Sequence, residues 1–97
     1  PNPDAVNLFG AAWSACYMGA IELVAGKRQI KMLAPPEVDT EIDLVKDGNA
    51  FYLQARLQVA LPWVEREVAQ ELIDAAHEVC PYSKAVHGNI QVTTTLI

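Results

Sequence analysis

Three arrangements of apolar and polar residues divide the chain. Between Asn7 and Glu22 no side chain is charged, and the one clearly polar residue is Ser14. Pro3 suits a first helical turn, where its missing N–H is not needed, and Asn2 or Asp4 can cap the free backbone donors. Gly26, followed by Lys27 and Arg28, supplies a stop. The pattern predicts one helix from Asn2 to about Gly26, apolar on nearly every face, which needs protein or lipid around it. The uncharged run is shorter than the ~20 residues of a bilayer span, so a buried central helix is expected. Gly10, Ala11, Ala12, Ala15, Gly19 and Ala20 are small, so other backbone can come close to Cys16 near its middle.

The second arrangement is alternation. Val38, Thr40, Ile42 and Leu44 fall on one side of a strand, and Glu37, Asp39, Glu41 and Asp43 on the other. Asp47 and Gly48 signal a hairpin turn. Phe51, Leu53, Ala55, Leu57, Val59 and Leu61 then face inward, with Tyr52, Gln54, Arg56 and Gln58 outward. The two strands are expected to pair antiparallel, with Arg56 beside carboxylates in an exposed pairing that contributes little.

The third arrangement follows Pro62. Glu65, Arg66 and Glu67 fit the first turn of a second helix running to Cys80. Val68, Leu72, Ala75, Ala76 and Val79 share one face, and Arg66, Gln70, Asp74 and His77 or Glu78 the other. Pro81 ends that helix at the residue before it. Tyr82 to Gly88 reads as a tight connector of about one helical turn. Asn89 to Ile97 reads as a third strand, with Ile90, Val92, Thr94 and Leu96 on one side. No repeat, linker or low-complexity segment interrupts the pattern, so residues 1–97 are expected to form one domain.

Composition narrows this picture. A chain of 97 residues, 52% hydrophobic and 20% charged, is globular rather than disordered. Its net charge of −5 argues against a nucleic-acid partner. Lys27, Arg28 and Lys31 lie just past a helix end, where they complement the dipole. Glu37, Asp39, Glu41 and Asp43, spaced by two along a strand, make a flat fence rather than a metal cage. No secretory signal is visible. The chain opens at a helix start, so an N-terminal piece is expected to be missing.

Cys16 and Cys80 are the candidate reactive groups. Two cysteines do not make a disulfide scaffold, and a pair cycling between thiol and disulfide is as compatible with the count as a structural bridge. Cys16 lies beyond the useful reach of its helix N-terminus, and Ala12, Trp13, Gly19 and Ala20, its helical neighbours, include no cation. An apolar setting raises a thiol pKa, so reaction at Cys16 requires a cation from another segment. Cys80 faces the negative end of a helix dipole. The asymmetry suggests that Cys16 attacks and Cys80 resolves, while spacing alone leaves two buried, inert cysteines equally open.

LFGAAWSACYMGA around Cys16 and AAHEVCPYSKAVHGNIQV around Cys80 resemble the two signature segments of the organic hydroperoxide resistance proteins of the OsmC superfamily. The hairpin and Pro62–Trp63–Val64–Glu65–Arg66–Glu67 between them match too, so the likeness covers the whole chain. It implies an α+β, OsmC-like fold: two buried central helices packed against antiparallel sheet in an intertwined homodimer, with each active site at the subunit interface. It implies a cytoplasmic bacterial peroxidase with no bound cofactor, no metal and no membrane partner. Cys16 attacks an alkyl or fatty-acid hydroperoxide, Cys80 condenses with the sulfenic acid, and an external dithiol, typically a protein-bound lipoyl group, reduces the disulfide. Phe9, Trp13 and Tyr17 are candidates for an apolar entrance that selects bulky peroxides over hydrogen peroxide. A non-catalytic module of the same fold, serving dimerisation or hydrophobic-ligand binding, is the alternative.

The departures concern activation. The family's activating arginine lies in an N-terminal β segment that this chain does not include, held by an acid before the first cysteine. Asp4 matches that acid in Asn-Pro-Asp-Ala-Val-Asn-Leu-Phe, two residues longer than the usual Asn-Pro-Glu-x-Leu-Phe, and a plain helix cap is its other reading. His87 stands where relatives often carry arginine and receives no role. His77 is near enough in sequence to contact the site, although a structural helix histidine is the simpler reading.

Overall fold

Asp4 starts the first helix by accepting a hydrogen bond from the Asn7 backbone N–H at 2.8 Å. In a computed structural model, which describes residues 4–62 and 64–97, that helix is α1 (Ala5–Lys27). The expectations placed on Asn2 and Pro3 lie outside the described residues. The stop comes later than Gly26: Arg28 is the C-cap and Gln29 takes the left-handed conformation, φ 58°.

α1 is not enclosed on every side. Gly10, Trp13, Tyr17, Ala20, Ile21, Val24 and Ala25 form its buried stripe. Leu8 and Leu23 on the opposite side are 56% and 49% exposed, and Ala11, Ala15 and Gly19 between them are exposed too. At 23 residues α1 has the length and apolar content of a membrane span. Its packing against the sheet and two other helices is that of a core helix.

The hairpin follows the alternation closely. β1 (Glu37–Asp47) pairs antiparallel with β2 (Ala50–Ala60), Glu41 opposite Arg56, through a two-residue turn in which Gly48 has φ 62°. Arg56 hydrogen-bonds both Glu41 and Asp43, so part of the acidic fence is neutralised by the neighbouring strand. The inward face is covered only in part. Ala55, Leu57, Val59 and Leu61 are buried, whereas Leu44 and Phe51, toward the turn, are 59% and 62% exposed because the helices do not reach over that end.

After β2 the chain crosses the sheet through α2 (Arg66–Val79) and α3 (Pro81–Val86) before entering β3 (Gln91–Leu96). The expected all-antiparallel sheet is therefore mixed, in the order β1-β2-β3, with β2 and β3 parallel. The helical crossover returns the chain to the end at which β2 began, as a parallel neighbour requires. The buried stripe of α2 is Ala69, Leu72, Ile73 and Ala76, with Val68, Ala75 and Val79 on its margin. This rotation turns His77 inward, half-buried, and leaves Glu78 exposed.

Of the three glycines of α1, Gly10 alone comes close to strand backbone. A Cβ on Gly10 would lie 3.0 Å from the Thr40 carbonyl oxygen, whereas Gly19 and Gly26 have no neighbour within 4 Å. One turn on, the Ser14 hydroxyl meets the Thr40 hydroxyl at 2.7 Å. This pair of contacts sets the distance between α1 and β1 a turn before Cys16.

Candidate active site

Cys80 sits where two helices meet. Its N–H bonds the Ala76 carbonyl at 2.8 Å, closing α2, and its own carbonyl accepts from Lys84 N–H at 3.0 Å, opening α3. With φ −63° and ψ 118° it is extended, as expected before Pro81, which takes the first position of α3. Cys80 is thus C-cap and N-cap at once, and the end of α2 alone does not describe its electrostatic surroundings. Its side chain is fully buried. Cys16, half-buried on α1, meets it: the two sulfurs are 3.0 Å apart and both cysteines are free thiols. That separation exceeds an S–S bond by about 1 Å.

Burial raises the Cys16 thiol pKa, and the hydrogen bond with Cys80 raises it further. The Tyr82 backbone N–H, in the first turn of α3, pulls the other way. Among the described residues no cation acts on this thiol.

An aromatic wall adjoins the sulfurs. Phe9, half-buried, stacks on Tyr82 with ring centroids 6.2 Å apart and tilts against Trp13 at 5.6 Å. Trp13 and Tyr17 are both completely enclosed, and their polar tips are engaged. Trp13 Nε1–H donates to Ser83 Oγ at 3.1 Å, and Tyr17 donates its hydroxyl proton to the Ile73 carbonyl at 2.7 Å. Burial pushes the Tyr17 phenol well above its ordinary pKa, so it remains a donor. Of the three residues expected at the entrance, Phe9 is accessible, while Trp13 and Tyr17 form the floor.

Two further residues complete a chain of hydrogen bonds that the sequence pattern did not reveal. Ser83 Oγ lies 2.9 Å from His77 Nδ1, and His77 Nε2 lies 2.7 Å from Thr94 Oγ1 on β3. The His77 ring also packs on Tyr17 at 4.6 Å. Desolvation lowers the His77 pKa, against an opposing pull from Asp74, and so favours the neutral ring. Tyr82 and Ser83 were legible only as part of the Cys-Pro-Tyr-Ser run. An open cleft of about 760 Å³ borders this chain, lined among others by Trp13, His77, Ser83, Val86, Ile90 and Thr94. His87, exposed at the end of α3, also lines the cleft. Asp4 is an exposed cap, ~18 Å from Cys16 along the helix at 1.5 Å per residue.

Residues 1–95 match the family model described as OsmC-like protein. The chain belongs to that family. Among OsmC-like proteins it groups with the organic hydroperoxide resistance proteins. It is 37% identical over 95 residues to the organic hydroperoxide resistance protein of Xanthomonas axonopodis pv. citri, covering 98% of this chain and 66% of that protein. It is 41% identical over 97 residues to OhrB, an organic hydroperoxide resistance protein of Bacillus subtilis, covering 98% and 68%. The crystal structure of that OhrB superposes with a TM-score of 0.94 at 38% identity, covering 100% of this chain and 72% of the other. The chain thus spans about two thirds of the length of the curated relatives it matches.

Proposed function

We propose that this chain carries the redox centre of a thiol-dependent peroxidase for organic hydroperoxides. The observation that carries the reading is the contact of two free thiols at 3.0 Å from segments 64 residues apart. The Cys16 thiolate attacks the distal oxygen of ROOH. The O–O bond breaks, the alkoxide leaves as ROH after taking a proton, and Cys16 becomes a sulfenic acid. Cys80 sulfur displaces the sulfenic oxygen as water, forming the Cys16–Cys80 disulfide. An external dithiol of the lipoyl class then reduces it through a mixed disulfide and is itself oxidised.

Burial opposes the thiolate, so attack at neutral pH requires a cation beside Cys16 from outside the described residues. The apolar wall of Phe9 and Tyr82 favours an alkyl-bearing peroxide over hydrogen peroxide. The functional unit is a homodimer, a reading supported by the apolar face of α1 from Leu8 to Leu23 that its own chain leaves uncovered.

The test is turnover of cumene hydroperoxide with dihydrolipoamide as reductant. Cys16→Ser is expected to abolish peroxide consumption. Cys80→Ser is expected to allow one oxidation per chain, which stops at the sulfenic acid. Full turnover by Cys16→Ser would falsify the assignment.

A further inference from the structure

We propose that the hydrogen-bonded chain Trp13–Ser83–His77–Thr94 positions the two sulfurs for disulfide formation, with the joint between Ser83 Oγ and His77 Nδ1 as its working part. The inference rests on reading Cys16 and Cys80 as a redox pair.

Trp13 precedes Cys16 by three residues on α1, His77 precedes Cys80 by three on α2, and Ser83 follows Cys80 by three on α3. Three residues apart on one helix means the same face, so Trp13 sits one turn from Cys16 on α1, while His77 and Ser83 lie in the last turn of α2 and the first turn of α3 on either side of the Cys80 joint. The Trp13–Ser83 bond therefore ties the turn of α1 before Cys16 to the turn of α3 after Cys80.

α3 cannot hold itself in place. At six residues it is below the length at which a helix is stable alone, and its buried contacts are Ser83 and Val86. What fixes its rotation is Ser83 Oγ, held from one side by Trp13 and from the other by His77. His77 is anchored in turn to the sheet through Thr94. A neutral imidazole has one donor and one acceptor nitrogen, and a serine hydroxyl can accept from Trp13 while donating to Nδ1. Every polar atom in the chain then has a partner, the condition under which a buried network fixes one geometry rather than costing stability.

The two ends of the imidazole can be tested separately. His77→Asn keeps an amide near the position of Nδ1, within reach of Ser83. His77→Gln keeps one near Nε2, within reach of Thr94. Ser83→Ala removes the joint, and Trp13→Phe removes the same strut from the α1 side if the alanine variant does not fold. The readout is the effective concentration of Cys80 toward Cys16, from equilibration of the purified protein in graded reduced and oxidised glutathione, beside the thermal midpoint of each reduced variant. Ser83→Ala and His77→Gln are expected to lower the effective concentration by about tenfold, the worth of one well-placed hydrogen bond, with His77→Asn within about twofold of wild type. Equal loss in His77→Asn and His77→Gln, or no loss in Ser83→Ala and Trp13→Phe, overturns the positioning role. A wild-type protein that forms no Cys16–Cys80 disulfide at any glutathione ratio overturns the redox reading itself, a result distinct from either.

Discussion

At Gly10 a single methyl group decides how close a helix lies to a strand. An added Cβ meets the Thr40 carbonyl oxygen at 3.0 Å, and backbone cannot swing aside as a side-chain tip can. Gly10→Ala is expected to lower stability by about 1–3 kcal/mol, the usual cost of overpacking, as a reduced urea midpoint. Gly19→Ala, in open space on the same helix, is expected to raise the midpoint through helix propensity, by up to about 1 kcal/mol. Equal effects at both positions would show that the α1–β1 contact does not set the packing. The sequence made the small residues of α1 conspicuous, but not which of them touches a strand, because that depends on the register of α1 against β1. The same holds for Trp13 and Tyr17: aromatic residues three before and one after a cysteine suit an entrance or a floor, and only their bonds to Ser83 and Ile73 separate the two.

Among the elements, the hairpin was the most legible, since strict alternation and a Gly-containing turn fix strand, face and register together. The direction of β3 was not legible. Its own residues say strand, whereas parallel pairing is dictated by the two helices that carry the chain back. The face of α2 was misjudged by a fraction of a turn, enough to hide that His77 points inward. That orientation has a pH consequence. The ring is flanked by Asp74 and Glu78 from α2, by Tyr17 from α1 and by Lys84 and His87 across the cleft, with desolvation dominant and Asp74 opposing it. Because its folded-state pKa lies below 6.5, the native state binds fewer protons than the unfolded chain. The stability this contributes is full above pH ~6.5 and is lost as pH falls through that value toward the folded pKa. Urea midpoints at pH 7.5 and 5.5 are expected to fall more for wild type than for His77→Asn. An identical fall in both would show that the titration lies elsewhere.

For the whole molecule, the telling feature is asymmetry of burial around α1. One side is packed to zero exposure at Trp13, Tyr17 and Ile21, while Leu8 and Leu23 stand out on the other. A contiguous apolar strip of this kind marks an interaction surface. Sedimentation is expected to give a dimer for the wild-type protein and a monomer of unchanged helix content for Leu23→Glu, since a carboxylate at the seam must be desolvated without a partner. A wild-type chain that stays monomeric near 100 μM would remove the homodimer from the proposed function. Hydrophobicity all around the helix was plain in the sequence; which half is covered by the same chain was not, because that division depends on the crossing of α1 over the sheet.

The meeting of Cys16 and Cys80 has a corollary for the newly synthesised chain. The partners come from opposite ends of a stretch 64 residues long, and closing so large a loop is entropically expensive until β2, the crossover and α1 have all docked. An incompletely folded polypeptide therefore holds two unrelated thiols of ordinary temperament. On the proposed reading, chemical competence appears only at the end of assembly, and disulfide formation between the two would report whether the chain has reached its native topology.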